Sequence, residues 1–236
     1  SVYADELKQY ILSCFNMGID VDAVRFSQNS KLQLLNKSKY RVFIEPVRMS
    51  EYSAKSDLYR IFVQEALNMY SAALLNMVSF EVIEYGYGYD FAIKWGNITR
   101  NAWGMYYQPD NSSNEHNLII GIRDENNKLL DDITIKSIII HELGHAMGLG
   151  HSPNSDDVMY KYVNDVCSLS KNDVFVLQLI YSIGRNKDYT NSKYYIDSCI
   201  NEFILESEYG AQFDYKQYSL SNYLLEKALI DFDRDV

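Results

Sequence analysis

Apolar positions along this chain recur with two periods, and the change from one to the other marks out its elements. Tyr40-Arg41-Val42-Phe43-Ile44-Glu45 alternates like a half-buried strand and is stopped by Pro46. Asp57 can cap a helix running to about Val78, with Leu58, Ile61, Phe62, Ala66, Met69 and Ala73 on one face. Phe80–Ile83 and Phe91–Trp95 read as the next two strands, with Gly86 and Gly88 punctuating the turn between them. Leu118–Ile122 is continuously apolar, as a buried strand would be. Asp131 or Asp132 then caps a helix whose Ile138-Ile139-Ile140 run implies burial, and a last helix is expected from about Ser170 to Ile183. The flanks are amphipathic in patches: around Leu7, Tyr10, Ile11 and Cys14, and again over Tyr194–Leu205 and Leu220–Phe232.

The buried helix carries the chemistry. It reads His141-Glu142-Leu143-Gly144-His145-Ala146-Met147-Gly148-Leu149-Gly150-His151. On a helix His141 and His145 lie on one face, one turn apart, so both imidazoles can point at one metal. Gly148 follows where the helix must stop, and a residue without Cβ can turn the chain sharply, through φ > 0 if needed. That turn would bring His151 back as a third ligand. Three protein ligands leave a fourth tetrahedral position for water, the mark of a catalytic zinc site. Glu142 is placed to hydrogen-bond that water as a general base. Of the 4 histidines in the chain, only His116 lies outside this stretch, which argues against scattered surface or core histidines.

These eleven residues resemble the signature of the metzincin zinc endopeptidases. Ser155-Asp156-Asp157-Val158-Met159-Tyr160 resembles their Met-turn, and the interval from His151 to Met159 looks like the matrixin branch. Leu169-Ser170-Lys171-Asn172-Asp173-Val174, then Leu177-Gln178-Leu179-Ile180-Tyr181, resembles the matrixin closing helix, except that Asn172 replaces the first of two Asp. The resemblance implies an α+β metzincin fold: a mixed twisted sheet, an active-site helix and a smaller C-terminal subdomain, here with helical extensions. It implies a catalytic domain over 39–184, flanked by extensions over 1–38 and 185–236. It implies one catalytic Zn2+ on His141, His145 and His151, Glu142 as general base, and Met159 as an apolar floor rather than a ligand. It implies a zinc-dependent endopeptidase acting on protein or peptide substrates, secreted or at the cell surface. Ala102, Trp103 and Gly104 would border the substrate, with Tyr160 and Tyr162 on the wall of the pocket beyond the scissile bond. Structural Ca2+ occurs in the family, but no loop here has the D-x-[DN]-x-[DN]-G-x₅-E pattern.

Composition narrows the classes further. A chain of 236 residues, 47% hydrophobic and 14% aromatic, can bury a sizeable core. Its net charge of −10 argues against nucleic acid, whose phosphates call for a basic surface. No apolar run approaches the roughly 18 residues of a membrane-spanning helix, and the opening Ser1-Val2-Tyr3-Ala4-Asp5 carries no signal-peptide features. Three cysteines permit at most one internal disulfide. Oligomeric state is not readable.

Several alternatives stay open at this stage. The segment Asn101–Tyr107 is an edge strand over the cleft or an aromatic loop packed on the core. His116 is a surface histidine or a ligand of a second metal. Cys14 is a buried thiol on an amphipathic helix or a latency cysteine that blocks the zinc. The extensions pack on the back of the domain, cover the cleft as a pro-region, or bind a partner. An enzyme is favoured over a latent or inactive binding and adhesion module, because Glu142 is intact.

Overall fold

A computed structural model describes residues 1–15, 34–47, 53–99, 102–107, 113–185 and 192–209. The pattern around Leu220–Phe232 lies outside them. The elements run α1 (Val2–Phe15), β1 (Lys39–Ile44), α2 (Ser53–Ala73), β2 (Ser79–Ile83), β3 (Phe91–Asn97), β4 (Gly104–Tyr107), β5 (His116–Arg123), α3 (Asp132–Ala146), α4 (Lys171–Arg185) and α5 (Ser192–Tyr209). Five strands form one sheet in the order β2-β1-β3-β5-β4. The first four in that order are mutually parallel, and β4 closes the edge antiparallel to β5. The mixed sheet with helices laid on it is the α+β metzincin architecture expected from the sequence.

Alternation decides which face is covered. Tyr40, Val42 and Ile44 of β1 are buried, and they join Phe91 and Ile93 of β3 and Leu118 and Ile120 of β5 in one core. Helices α2 and α3 pack on this side and on each other. Burying apolar surface at about 25 cal/mol per Å² drives this layer together. The isoleucine run of α3 is indeed buried, and Asp131 stands at its N-cap, although its side chain makes no capping bond.

Helix α2 departs from its sequence reading in three ways. It starts at Ser53, ahead of Asp57, and it stops at Ala73, short of Val78. Its buried face holds Phe62, Ala66 and Ala73 as expected but is wider, taking in Tyr59, Val63, Leu67 and Tyr70, while Ile61 is 48% exposed. Tyr70 can enter the core because its hydroxyl finds a partner, donating to the Ile140 carbonyl of α3 at 2.6 Å. The helix ends in a Schellman-type cap, with Asn76 N–H on Ser71 O at 2.8 Å and Leu75 N–H on Ala72 O at 3.0 Å. Leu75 and Asn76 both have positive φ, 53° and 62°. His116 also differs from the surface reading. It opens β5 half-buried, stacks on Phe91 with centroids 4.3 Å apart, and pairs Nδ1 with the Tyr106 hydroxyl at 2.7 Å.

Below the sheet, α1, α4 and α5 pack together, with the rings of Phe175 and Phe203 stacked at 4.3 Å. Between them and the ligand helix lies a buried polar junction. Asp157 accepts from Ser152 Oγ at 2.6 Å, Ser170 Oγ at 2.7 Å and Asn172 Nδ2 at 3.1 Å. Asp173 accepts from Tyr10 Oη at 2.7 Å, Ser170 N–H at 2.9 Å and Val158 N–H at 3.2 Å. Ser170 Oγ in turn accepts the Asp173 N–H at 3.0 Å, which caps α4 reciprocally. Tyr3 reaches the same place, donating its hydroxyl to Asn172 Oδ1 at 2.5 Å.

Burial, and then the charge of Asp157, pushes the Asp173 carboxyl up from 3.8 to about 6. A folded value above the unfolded one stabilises the protein below pH 3.8, and that contribution is lost as pH rises through about 6. Asp173→Asn stays neutral throughout. In urea denaturation its stability relative to wild type should therefore rise between pH 4 and pH 7, by on the order of 2–3 kcal/mol. A constant difference across that range would show that Asp173 titrates normally in the fold.

Candidate functional site

The three histidines of the motif come together. Their candidate ligand atoms all lie within 4.8 Å of one another, and the Nε2 atoms of His141 and His145 are 3.1 Å apart. The local fold explains each placement. His141 and His145 share one face of α3. Beyond its C-cap, Gly148 takes φ 105°, a conformation that favours glycine, and Leu149 N–H returns to Gly144 O at 2.9 Å. This reversal also presents the Leu149 carbonyl to His145 Nδ1 at 2.8 Å. His141 Nδ1 meets the Val158 carbonyl at 2.8 Å, just ahead of Met159.

Those carbonyls fix the tautomers. A carbonyl only accepts, so each Nδ1 carries the proton and each Nε2 presents a lone pair. Two lone pairs then face each other at 3.1 Å with no proton between them, and a third imidazole stands beside them. A cation relieves that arrangement. Burial holds His141 down to about 4, His145 well below its ordinary value and His151 down as well, so all three are neutral near pH 7, as metal ligation requires. A set of neutral nitrogen donors without thiolate or carboxylate suits zinc, so the residues fit the ion that the sequence implies.

Met159 is fully buried beneath α3. Gly144 lies directly over it: a Cβ there would overlap Met159 Sδ and press on the Tyr70 hydroxyl. Glu142 is 6% exposed, and burial alone pushes its carboxyl up from 4.5 to about 8. Its neighbour is the edge strand. A Cβ on Gly104 would stand 2.6 Å from Glu142 Cγ and 2.7 Å from Oε1.

Of the segment Asn101–Tyr107, Gly104–Tyr107 is strand rather than core loop, and Asn101 lies outside the described residues. The segment's described residues, including Ala102, Trp103 and Gly104, line one side of a cleft of ≈ 780 Å³ whose floor holds His141, Glu142, His145 and His151. Tyr162, with Val163 and Asp165, lines the opposite side. Tyr160 does not reach the cleft wall; its ring stands edge-on to that of Tyr162 at 5.6 Å. Sequence reasoning missed Ser137 and Ile138 of α3 as further cleft residues, although both lie within one turn of His141. Cys14 lies outside both the histidine cluster and the cleft lining. It is buried behind them, its thiol pushed up to about 12 by burial, so the buried-thiol reading is the correct one.

A family model described as Matrixin matches residues 35–182. The chain belongs to the matrixin family. Two matrixin-like relatives are each similar over a short stretch. A protein of Trichoplusia ni ascovirus 2c that bears the name matrix metalloproteinase is 38% identical over 68 residues, 28% of this chain and 13% of that protein. Metalloendoproteinase 5-MMP of Arabidopsis thaliana is 33% identical over 64 residues, 26% of this chain and 18% of that protein. The chain thus spans less than a fifth of either relative's length. Membership in the family makes this a metalloprotease-type domain, and its three histidines form a zinc-type donor set. Among the described residues no helix is long and apolar enough to cross a membrane.

Glycine at 104 is demanded by space, since Glu142 occupies the volume a side chain would need. Gly104→Ala should displace the Glu142 carboxylate and lower kcat about 100-fold while zinc stoichiometry is unchanged. An alanine variant with full kcat would show that this close approach does not set the carboxylate's position.

Proposed function

We propose that this protein is a zinc-dependent endopeptidase that hydrolyses peptide bonds in protein substrates. The observation that carries this reading is the grouping of three elements in one cleft: three convergent imidazoles, a buried carboxylate beside them, and a strand whose outer edge is unpaired among the described residues. His141, His145 and His151 hold the metal. When bound, zinc supplies Lewis acidity, polarising the scissile carbonyl and making water acidic enough to lose a proton near pH 7.

The chain's own residues do the rest. Substrate lies extended along β4, whose outward main-chain groups between Gly104 and Tyr107 pair with it as an added strand. Gly104 lets that strand sit close over Glu142, which brings the scissile bond down to the carboxylate. Glu142 takes the proton of the attacking water and returns it to the leaving amine. Burial raises the proton affinity of this carboxyl, which suits its return of the proton, and a cation held by the neighbouring histidines would favour the carboxylate form that accepts it. The side of the cleft formed by Tyr162 and Val163 receives the side chain that follows the cut. Met159 supports α3 from below and touches no substrate. The catalytic unit runs over 39–184, between the two extensions. By family resemblance the working location is secreted or at the cell surface. The alternative, a binding or adhesion module that has lost catalysis, is not favoured while Glu142 and all three histidines occupy one cleft.

Casein or gelatin, with and without a chelator, decides between the two. Wild type should cleave and the chelator should abolish cleavage. Glu142→Ala should keep its zinc and lose about 10²–10⁴ of the activity. His151→Ala should lose zinc on dialysis. Chelator-resistant cleavage, or wild-type rates from the Glu142 variant, would overturn the assignment.

A further inference from the structure

The third histidine is held differently from the other two. Among the described residues, His141 and His145 each have Nδ1 anchored on a main-chain carbonyl, whereas no side-chain hydrogen bond orients the His151 ring. His151 is therefore placed by its backbone, and that backbone lies against the C-terminal end of α1. Gly150 N–H donates to Cys14 Sγ at 3.3 Å. Ser13 Oγ lies 2.9 Å from the His151 carbonyl and 2.6 Å from its own helix carbonyl at Tyr10, so its proton serves either.

Gly150 is where the two segments touch. A Cβ there would overlap the carbonyl and hydroxyl of Ser13. Its φ is not in the positive region, so glycine is needed for the close approach rather than for the turn. Further along α1, Tyr10 and Tyr3 reach Asp173 and Asn172, the residues that hold Val158 N–H and Asp157 on the Met159 side. One helix thus touches the backing of both the third ligand and the methionine turn. None of its residues lines the cleft.

We propose that α1 is a positioning clamp for the third ligand. Through Cys14 and Ser13 it presses the Gly150–His151 turn into the place from which His151 reaches the metal, so residues 1–15 stay docked in the working protein. This rests on the zinc reading above. Neither Ser13 nor Cys14 touches metal or substrate.

The test uses the full chain, with zinc affinity measured by competition against a chromophoric chelator and the visible spectrum recorded on the cobalt-loaded protein. Gly150→Ala separates the two segments, and Cys14→Ala removes the acceptor of Gly150 N–H. Both should weaken zinc binding 10–100-fold and alter the cobalt bands. Cys14→Ser keeps an acceptor and should stay within about threefold of wild type, as expected if the hydrogen bond is what matters. Val63→Ala, a buried truncation in α2, should lower Tm without changing zinc affinity. If Gly150→Ala or Cys14→Ala does not fold, Ser13→Ala serves in its place with the same expected direction. Variants that bind zinc as tightly as wild type, with its cobalt spectrum, would overturn the clamp alone. A wild-type protein that takes up no zinc would overturn the metal reading, and the clamp with it.

Discussion

Two carboxylates buried side by side without a cation are the constraint on which this molecule's functional end depends. Among the described residues, no lysine or arginine pairs with Asp157 or Asp173. An isolated buried carboxylate costs several kcal/mol, so these two persist only because each is surrounded by donors. The donors come from every segment that meets there: Tyr10 from α1, Ser152 from beyond the third histidine, Val158 from the methionine turn, and Ser170 and Asn172 from the start of α4. Shifting any one of them would leave a charge unsatisfied. The cost of burying the charges is thereby converted into a fixed mutual placement of four chain segments.

The histidine cluster takes its geometry from that placement. Val158 gives its N–H to Asp173 and its carbonyl to His141, so one residue links the junction to the histidine cluster. Ser152 gives its hydroxyl to Asp157 and its N–H to the Met159 carbonyl at 2.8 Å, next to the third ligand. Glycines fit the remaining parts together at short range. Gly144 admits Met159 beneath the helix, Gly104 admits Glu142 beneath the strand, and Gly150 admits α1 behind the turn. Each lets a neighbouring segment approach to a distance that a Cβ would forbid.

What the sequence disclosed divides along physical lines. The grouping of the three histidines was legible because helical geometry converts a spacing of four into a shared face, and because Gly148 adopts the positive φ its position suggested. β1 was legible from its alternation, and β5 from a continuously apolar run. The end of α2 was obscured because its left-handed cap residue is Leu75, and only Asn76 beside it hinted at a turn. Its inward face was misjudged because counting aliphatics put Ile61 inside and left out Tyr59 and Tyr70. The buried junction could not be read at all. Tyr10 and Asp173 are 163 residues apart, and nothing local marks either as the other's partner. Four residues of β4 were too few for periodicity to separate strand from loop.

The open edge of β4 has a consequence beyond substrate. Among the described residues the outer edge of β4 is unpaired, and main-chain groups on such an edge can pair with a strand from a second copy; Met105 and Tyr107 of that strand are 41% and 47% exposed. An unprotected edge of this kind is a seed for self-assembly into sheets. The protein cannot bury or bulge it away without closing its own cleft. Its net charge of −10 offers another defence: copies repel one another at long range, while a neutral or basic peptide approaches unhindered. The acidic composition then acts against self-association along one open strand edge.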